Sequence, residues 1–291
     1  MKVLVTGARG QLGYDVVRLL TREGIPCLGA DITDFDCTDE AAARAFIAGY
    51  GPDAVVHCAA YTNVDGAEVN RETAFAVNVT GTSVVARAAA EQGAKLVYIS
   101  TDYIFDGTGE APWKTDSPVS PVNYYGETKL GGENAVRAAS DRFFILRTSW
   151  VFGLHGKNFV KTMLRLGREK ERLTVVNDQI GSPTYTPDLA RLILDMLRTE
   201  RFGVYHAANE GFCSWYEFAA AIMRAGGLPC RVEPVYSEAY ARAVPSAAVR
   251  PKNSRLDRSS LDAAGFPRLP AWQNALERYV EELREAGELS V

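Results

Sequence analysis

Short apolar runs alternate with longer amphipathic segments through the first half of the chain. Residues 2–6 are apolar at nearly every position, as expected for a strand of a parallel sheet that is buried on both faces. Further predicted elements are strands at 25–30, 54–57, 96–100 and 143–148, and helices at 40–48, about 71–91 and 126–139. This alternation requires right-handed crossovers and predicts an α/β fold with a doubly wound parallel sheet of the Rossmann type.

The pattern becomes less regular after Trp150. The predicted elements there are helices at 159–167, 187–197 and 215–225 and a strand at 174–177. The segment 229–251 carries four prolines with little periodicity, so it is predicted to be loop-rich. The last helix is the clearest, because apolar side chains recur at i, i+3, i+4, i+7, i+8 and i+11 from Trp272. We therefore predict a second, smaller and irregular C-terminal domain.

Composition and charge exclude several classes of protein. Of the 291 residues, 47% are hydrophobic and 23% charged, which argues against disorder. The formal net charge of −4 gives no basic field, so we expect no nucleic acid and no membrane as partner. No apolar run approaches the roughly 18 residues that span a bilayer, and the first apolar run is too short for a signal peptide. Five scattered cysteines without a C-x-x-C motif predict reduced thiols and a cytoplasmic location.

Three glycines follow the first predicted strand and open the first predicted helix. Gly7, Gly10 and Gly13 are spaced G-x-x-G-x-x-G, with Gln11 and Leu12 before the last. Glycine permits close approach of a ligand to the backbone, and the helix N-terminus attracts a pyrophosphate. A tight turn without a ligand is the alternative, but the strand–turn–helix context favours cofactor binding. The predicted domains are a dinucleotide-binding domain at 1–150, joined by elements from about 173–203, and a substrate-binding domain at about 151–172 and 204–291.

Two residues give opposite predictions for the identity of the dinucleotide. Asp31 ends the second predicted strand, 18 residues beyond Gly13, where a carboxylate accepts hydrogen bonds from a ribose and repels a 2′-phosphate. Arg9, inside the glycine turn, favours the 2′-phosphate instead. Both NADH and NADPH therefore remain candidates. Asp36 is placed for an adenine contact, although a role at the entry to the next helix, close to Thr38, fits the sequence equally well.

A Tyr-x-x-x-Lys motif occurs in the helix after the fourth predicted strand. Tyr125 and Lys129 are four residues apart, which places phenol and ammonium on one helical face, whereas Tyr124 has Thr128 at i+4. A phenol has an ordinary pKa of about 10, and we expect Lys129 and a positively charged nicotinamide ring to lower the pKa of Tyr125. A solvated surface pair is the alternative, but the position of the motif favours general acid catalysis by Tyr125.

Thr101 ends the fourth predicted strand, 24 residues before Tyr125. Ligands bind beyond the carboxyl ends of parallel strands, so Thr101 is placed to donate a hydrogen bond to a ketone oxygen that Tyr125 protonates. Residues 58–62 follow the third predicted strand and are expected to pass beneath the cofactor. Asn78 either braces the active-site backbone through its amide or is a buried structural residue.

Longer motifs surround these residues. They are GxxGQLG at 7–13, STDYIFDG at 100–107, YGETKLGGE at 125–133, RTSWVF at 147–152, DQIGSPT at 178–184 and RPKNSRL at 250–256. Together they resemble the extended short-chain dehydrogenase/reductases and, within these, the dTDP-4-dehydrorhamnose reductase family, over almost the whole chain. The last three motifs are the most specific, because the glycine turn and Tyr-x-x-x-Lys are shared across the superfamily.

The resemblance implies an activity and a set of site residues. The activity is reduction of the 4-keto group of dTDP-4-dehydro-L-rhamnose to dTDP-L-rhamnose, for surface polysaccharides, with NADPH or NADH. The implied catalytic residues are Thr101, Tyr125 as proton donor, and Lys129. The implied cofactor contacts are Gly10, Gln11, Leu12, Asp31, Asp36, Cys37, Ala60, Tyr61, Thr62, Tyr125 and Lys129. The implied contacts with the sugar are Thr101, Asp102 and Trp150.

Other positions bear on the substrate and on metal binding. Related dehydratases carry an acidic residue where this chain has Tyr103, so dehydration would lack its base. Asn158 opens a predicted helix and could present backbone N–H groups to a diphosphate. Arg250 is a candidate bidentate phosphate donor, with a surface ion pair as the alternative. The three histidines show no metal-ligand spacing, and we predict no metal site; Asp15 alone matches relatives that dimerise through a metal held by acidic side chains.

Two other functions are compatible with the motifs. The first is a non-catalytic regulatory subunit on the same fold, like the β subunit of methionine adenosyltransferase. Loss of the tyrosine, the lysine or the glycines would favour it, and all are present. The second is another nucleotide-sugar enzyme, either a reductase for a different sugar or an epimerase. An epimerase, unlike a reductase, would return the cofactor to its starting state. We expect a monomer or a homodimer that acts on a small nucleotide-sugar.

Overall fold

The central sheet contains six parallel strands in a computed structural model that describes residues 1–243 and 248–289. Residues 244–247 and 290–291, which belong to the predicted substrate domain and in part to the predicted loop at 229–251, lie outside the described ranges. The strands are β1 (Val3–Thr6), β2 (Cys27–Ala30), β3 (Ala54–His57), β4 (Lys95–Thr101), β5 (Phe143–Thr148), β6 (Val151–Phe152), β7 (Arg172–Val176), β8 (Ile180–Gly181), β9 (Thr184–Tyr185), β10 (Gly203–His206), β11 (Asn209–Glu210), β12 (Cys213–Ser214), β13 (Arg231–Val235) and β14 (Leu269–Ala271).

Helices connect and cover these strands. They are α1 (Gln11–Arg22), α2 (Glu40–Tyr50), α3 (Val64–Val69), α4 (Arg71–Phe75), α5 (Thr82–Glu91), α6 (Tyr124–Ala139), α7 (Phe159–Glu169), α8 (Thr186–Leu197), α9 (Trp215–Ala225), α10 (Ser237–Ala243), α11 (Ser259–Ala263) and α12 (Trp272–Glu285). A π-helical turn at Ala76–Gly81 joins α4 to α5, and a 3₁₀ turn at Asp102–Ile104 follows β4.

The order of the central strands is β10-β5-β4-β3-β1-β2, and every neighbouring pair is parallel. The chain leaves β1 toward β2 on one side and returns to β3 on the other, so the winding direction changes between β1 and β3. The doubly wound α/β fold predicted from the sequence is confirmed. Such a change of direction opens a crevice beyond the carboxyl ends of the strands, where ligands bind in this type of sheet.

Two apolar layers cover the two faces of the sheet. In β1, Val3 and Val5 share an apolar cluster with α1 and α8, whereas Leu4 belongs to the cluster of α2 and α5. This alternation follows from the period of two in a strand. Because both faces are covered, the central strands are apolar at consecutive positions, which is the pattern seen in the sequence.

Part of the second half of the chain returns to the central sheet. The strand β10 pairs with β5, and Leu189, Ile193 and Met196 of α8 lie in the same apolar cluster as α1. The strand β7, by contrast, pairs with β13 in a separate two-stranded parallel sheet. The layer around the central sheet therefore contains residues from both sides of position 150.

The loop-rich structure predicted for 229–251 is wrong for part of that segment, since β13 and α10 lie within it. The strand β13 pairs with β7 along its whole length although it contains Pro234. A proline is tolerated there because this two-stranded sheet consists of edge strands. At the start of α10, Asp178 accepts hydrogen bonds from the N–H and the hydroxyl of Ser237 at 2.9 and 2.6 Å. Both contacts join distant segments, and local periodicity does not reveal them.

A second apolar core lies among α7, α9 and α12 and includes Phe152, Phe218 and Tyr279. The predicted apolar face of α12 is confirmed, because its side chains at 272, 275, 276, 279, 280 and 283 are all buried. Among the helices of the described residues, none has both the length and the apolar character required to cross a membrane.

Candidate active site

A cavity of about 1000 Å³ lies beyond the carboxyl ends of the central strands. The final residues of β1, β4 and β5, namely Thr6, Thr101 and Thr148, line it. Predicted site residues that also line it are Gly7, Gly10, Gln11, Leu12, Gly13, Asp31, Asp36, Cys37, Ala60, Thr62, Asp102, Tyr125, Lys129 and Trp150. The predicted site residues that do not line it are Tyr61, Asn158 and Arg250.

The glycine turn forms one end of the cavity. Gly7 has a φ of +64°, and a Cβ at this position would lie only 2.6 Å from the backbone nitrogen of Ala59. Glycine is therefore required for the turn to pack against the segment after β3. Gly10 is the N-cap residue of α1, and within the described ranges no side chain caps the N-terminus of this helix with a hydrogen bond. The first-turn N–H groups of α1 can thus receive an anion, so this cradle fits the pyrophosphate of a dinucleotide.

Asp31 and Asp36 lie at the same end of the cavity, and both carboxylates accept hydrogen bonds from nearby groups. The Asp31 carboxylate accepts from the backbone N–H of Arg9 at 3.1 Å and from that of Ile32 at 2.9 Å. Asp31 therefore joins the glycine turn to the end of β2. Asp36 accepts from the N–H and the hydroxyl of Thr38, both at 2.8 Å, in the segment just before α2, whereas the residue that caps α2 is Asp39.

Tyr125 lies in the first turn of α6, beside the end of β4. The helix begins after Asn123, whose side chain accepts a hydrogen bond from the Gly126 N–H at 2.8 Å. The Thr101 hydroxyl is near enough to that of Tyr125 to lower the pKa of Tyr125, and Thr101 donates a hydrogen bond to Asp102 at 3.0 Å. Three polar side chains thus lie together at the point where the two elements meet.

The expected lowering of the Tyr125 pKa is wrong for the protein itself. Burial raises this pKa above its ordinary value, the Asp102 carboxylate raises it further, and the nearby hydroxyl of Thr101 lowers it only in part. Lys129, which was expected to lower this pKa, has its Nζ over the ring of Tyr98, 4.2 Å from the ring centre. The phenol is therefore held in its protonated form, which is the form that a general acid requires.

Lys129 is buried one helical turn further along α6. Burial lowers its pKa to about 7, while Glu133 and Cys58 act in the opposite direction. The Glu133 carboxylate is also buried and accepts two hydrogen bonds from the Arg147 guanidinium, both at 2.9 Å, and one from Ser100 at 2.6 Å. The ammonium therefore has a fixed anionic neighbour in a site from which water is largely excluded.

Asp102 is a buried carboxyl group that faces the cavity. Burial raises its pKa to about 6, and the nearby hydroxyls of Ser254 and Thr101 oppose that shift. Its neighbour Tyr103 packs edge-to-face on Tyr125, with ring centroids 5.9 Å apart. Phenol and carboxyl groups therefore surround the space beside the Tyr125 hydroxyl, which suits a ligand that carries hydroxyl and keto groups.

Trp150, two residues after the end of β5, also lines the cavity. Its backbone has a φ of +50°, and its indole stacks on that of Trp215 with ring centroids 3.6 Å apart and planes 15° apart. Trp215 also lines the cavity, and the sequence did not single it out. It begins an amphipathic helix, and an aromatic residue at such a position is more often part of a core, so no local signal separates the two roles.

Two lining residues of the loop before α7 were also missed. Gly156 and Lys157 lie in the cavity wall, and a Cβ at Gly156 would be 3.3 Å from the Gln11 side chain. Lys157 adds a cation to a cavity that already contains Arg9 and Lys129. The glycines of this loop could have indicated that it approaches a ligand, but the sequence analysis assigned the diphosphate contact to Asn158, at the start of the next helix.

Asn158 instead joins parts of the protein to each other. Its side chain caps α7 by accepting from the Lys161 N–H at 2.9 Å, and its amide N–H donates to Gln11 at 3.1 Å and to the Tyr279 hydroxyl at 3.0 Å. These contacts use the side chain to hold the loop of Lys157 against the glycine turn. Asn158 therefore supports the cavity from outside.

Arg250 and Tyr61 also have structural partners. Arg250 forms two hydrogen bonds to the Asp65 carboxylate, at 2.7 and 3.2 Å, which is the ion pair considered as the alternative. The Tyr61 backbone N–H donates to Asn78 at 2.8 Å, and the Asn78 amide also donates to Thr128 at 2.9 Å. The bracing role considered for Asn78 is thus present.

Within the described ranges, no group of three or more histidine, cysteine, aspartate or glutamate side chains is arranged to hold a metal ion. Asp15 is buried and accepts a hydrogen bond from the Thr186 hydroxyl. Burial raises the pKa of Asp15, which makes its carboxyl a poorer metal ligand. His57 bridges Thr6 and Thr82 at 2.7 and 3.2 Å and is neutral, because burial lowers its pKa to about 3.

Comparison with known proteins agrees with this geometry. The family model described as the RmlD substrate binding domain matches residues 1–285. The chain belongs to this family. The match includes the glycine turn, the Tyr-x-x-x-Lys motif and the stacked pair Trp150 and Trp215, which we call the tryptophan wall. It therefore extends over the whole candidate site.

Individual RmlD-family relatives resemble the chain over nearly its whole length. It is 41% identical over 285 residues to the spore coat polysaccharide biosynthesis protein SpsK of Bacillus subtilis, covering 98% of this chain and 99% of the relative. It is 43% identical over 282 residues to dTDP-4-dehydrorhamnose reductase of Mycobacterium tuberculosis, covering 94% and 91%. The crystal structure of dTDP-4-dehydrorhamnose reductase from Bacillus anthracis in complex with NADP has a TM-score of 0.93 at 41% identity, covering 97% and 99%. The resemblance inferred from the motifs is confirmed.

Proposed function

We propose that this chain reduces the 4-keto group of dTDP-4-dehydro-L-rhamnose to give dTDP-L-rhamnose, with NADPH or NADH as reductant. One observation carries the proposal: Thr101, Tyr125 and Lys129 line the same cavity as the glycine turn. A proton donor beside a dinucleotide cradle is the minimum that a ketoreductase requires. Membership of the RmlD family supports the choice of substrate.

The cofactor is proposed to lie along the cavity from the glycine turn to Lys129. When bound, the dihydronicotinamide supplies the hydride. The residues proposed to hold the group are Gly7, Gly10, Gln11, Leu12, Gly13, Asp31, Asp36, Cys37, Ala60, Thr62, Tyr125 and Lys129, which all line the cavity. Tyr61 is proposed to act through its backbone, which Asn78 holds in place.

Tyr125 is proposed to donate the proton to the ketone oxygen. Burial keeps its hydroxyl protonated. Thr101 is proposed to position the ketone, because it lines the cavity beside Tyr125 and its hydroxyl is held by a hydrogen bond to Asp102 at 3.0 Å. The buried Lys129 ammonium is proposed to stabilise the phenolate that remains after proton transfer.

Asp102 and Trp150 are proposed to contact the sugar. Both line the cavity. Tyr103 occupies the position at which related dehydratases carry an acidic residue, so the chain would lack the base for dehydration. The contacts of Asn158 and Arg250 favour supporting roles, in which Asn158 holds the Lys157 loop and Arg250 ties its own segment to α3. A direct contact of either residue with the diphosphate remains a hypothesis.

We further propose that the protein acts in the cytoplasm, where its five cysteines would stay reduced, as a monomer or homodimer. No nucleic acid or membrane partner is expected from its net charge. The division into a dinucleotide-binding and a substrate-binding domain stays a prediction.

The test is purified protein with a dTDP-4-keto-6-deoxyhexose and either reduced cofactor. We expect one reduced cofactor consumed per sugar and a 4-hydroxyl product, measured by cofactor absorbance and product analysis. Conversion without net cofactor consumption would identify an epimerase instead. Cofactor binding without any turnover on a panel of nucleotide-4-ketosugars would favour the regulatory subunit.

A further inference from the structure

Trp150 has an unfavourable backbone conformation that its surroundings must maintain. Its φ of +50° is the only positive φ of a non-glycine residue in the described ranges. A bulky side chain rarely adopts this left-handed region, and such strain concentrates at functional sites. The neighbours of Trp150 therefore show what holds it there.

Trp215 is the closest aromatic neighbour of Trp150. The two indoles are stacked at 3.6 Å, which is a tight contact for parallel rings. Trp215 is itself fixed, because Ser214 and Glu217 form a capping box at the start of α9. Phe159 of α7 packs against the same indole with ring centroids 4.5 Å apart. Trp215 is thus anchored by the second apolar core and presents its ring to Trp150.

Gly181 limits the position of the Trp150 indole independently of Trp215. A Cβ at Gly181 would lie 2.9 Å from Trp150 Cε2 and 3.1 Å from the Ser254 side chain. The absence of a side chain at Gly181 therefore allows β8 to approach the indole closely. Two separate segments, β8 and α9, define where the indole lies.

The position of Trp150 in the chain places it at the reacting end of the cavity. Thr148, two residues earlier, pairs in register with Thr101 across β5 and β4. Thr101 lines the cavity together with Tyr125, the proposed proton donor. The Trp150–Trp215 stack therefore follows directly in the chain from the strand that pairs with the Thr101 end of β4.

We propose that Trp215 is a positioning residue for the sugar end of the substrate. It holds the Trp150 indole, and with it the strained backbone, in the orientation that contacts the sugar of a nucleotide-sugar. This inference rests on the proposed function, which places Trp150 against that sugar. A flat, rigid indole wall suits the apolar face of a deoxysugar, where a methyl group replaces a hydroxymethyl group.

The test measures ligand binding and turnover separately. Trp215→Ala should raise the KM for the ketosugar about 3- to 10-fold, the range of a lost aromatic pair, while the cofactor KM and kcat stay within about 2-fold. By calorimetry, its affinity for dTDP-L-rhamnose should fall by the same factor and its affinity for dTDP should not change. Trp215→Phe should restore most of the binding, because it keeps a ring against Trp150.

Gly181→Ala gives an independent test with both tryptophans present. Its Cβ should displace the Trp150 indole, which would reduce the exciton signal of the stacked pair in circular dichroism and raise the KM for the ketosugar. Trp272→Phe is the matched control, since Trp272 lies in the second apolar core and does not line the cavity. It should leave the exciton signal and both KM values unchanged.

Two results would overturn the inference. One is an equal loss of affinity for dTDP and dTDP-L-rhamnose in Trp215→Ala, which would place the stack against the nucleotide. The other is unchanged affinity for dTDP-L-rhamnose in both Trp215→Ala and Gly181→Ala despite a lost exciton signal in the latter. Failure of the wild-type protein to reduce any ketosugar would count against the proposed function alone, because the calorimetric comparison needs no turnover.

Discussion

The end of the cavity proposed to hold the cofactor and the end proposed to hold the sugar, here the cofactor end and the sugar end, are assembled in different ways. The cofactor end uses seven consecutive residues, 7–13, which form the turn after β1 and the first residues of α1. The sugar end brings together Trp150, Gly181, Trp215 and Ser254 from four separate segments. The spacing of the three glycines lies within one short stretch of chain, although Gly7 also packs against Ala59, whereas the Trp150–Trp215 stack forms only between distant segments. The first is therefore visible in a sequence motif and the second is not.

This difference predicts separable effects of substitution. Changes in the glycine turn should alter the cofactor KM and leave the ketosugar KM unchanged. Changes in the tryptophan wall should do the opposite. Residues at the junction of the two ends, such as Tyr125, should affect the chemical step itself.

The largest expected effect is that of Tyr125→Phe, which removes the proton donor at this junction. We expect kcat to fall about 10²- to 10⁴-fold, because general acid catalysis contributes by that factor, with both KM values nearly unchanged. The measurement is steady-state turnover of the ketosugar. Tyr124→Phe is the matched control, since Tyr124 does not line the cavity. A near wild-type rate for Tyr125→Phe would assign the proton to another group.

The next effect concerns the cofactor end alone. Gly7→Ala should lower the free energy of unfolding by about 3 kcal/mol, because it adds a backbone clash to the strain of a positive φ, and should raise the cofactor KM. Gly24→Ala is the control: its φ is +66° but a Cβ there meets nothing within 4 Å. It should cost about 1–2 kcal/mol and leave the cofactor KM unchanged. Chemical denaturation and steady-state kinetics give both quantities, and equal costs would show that the clash relaxes.

A pH profile tests the junction in a different way. Burial lowers the pKa of Lys129 to about 7, so the ammonium is lost as pH rises through that value. If the ammonium supports proton transfer, kcat/KM should fall about tenfold per pH unit above 7. Lys129→Met should show a lower rate without that limb. A wild-type profile that is flat from pH 7 to 9 would contradict this role.

Lys129 also links stability to pH, and the sign can be stated. Its folded pKa of about 7 lies below the ordinary 10.5, so the unfolded chain binds more protons between these values. The contribution of Lys129 to the free energy of unfolding should therefore rise with pH across this window. Denaturation of the wild type and Lys129→Met at pH 7 and 10 measures the difference.

The smallest effect concerns the choice of cofactor. Asp31→Ala removes a carboxylate beside the proposed ribose, so the ratio of efficiencies should move toward NADPH by about 5-fold, the value of one hydrogen bond. Arg9→Ala should shift the ratio toward NADH. Both ratios come from steady-state kinetics with each cofactor. Shifts in the same direction would show that the two side chains do not act on the 2′ position.

Several site features were predictable from the sequence because their causes are local. Tyr125 and Lys129 lie on one helix, four residues apart, and both reach the cavity as the helical period requires. Other assignments needed the structure, since one side chain has several possible partners. Asn158 and Arg250 are held by Gln11 and Asp65, which are more than 140 residues away in sequence.

The sequence by itself determined the doubly wound sheet, the glycine turn, the Tyr125–Lys129 pair and the buried face of α12. The sheet follows from the alternation of apolar strands with amphipathic helices along the chain. The other three follow from a period or a spacing within a short segment, which depends only on backbone geometry. The tertiary structure alone decided the pairing of β7 with β13, the contact of Trp150 with Trp215 and the raised pKa of Tyr125. Contacts between distant segments and the exclusion of water exist only once the chain is folded, so no local pattern encodes them.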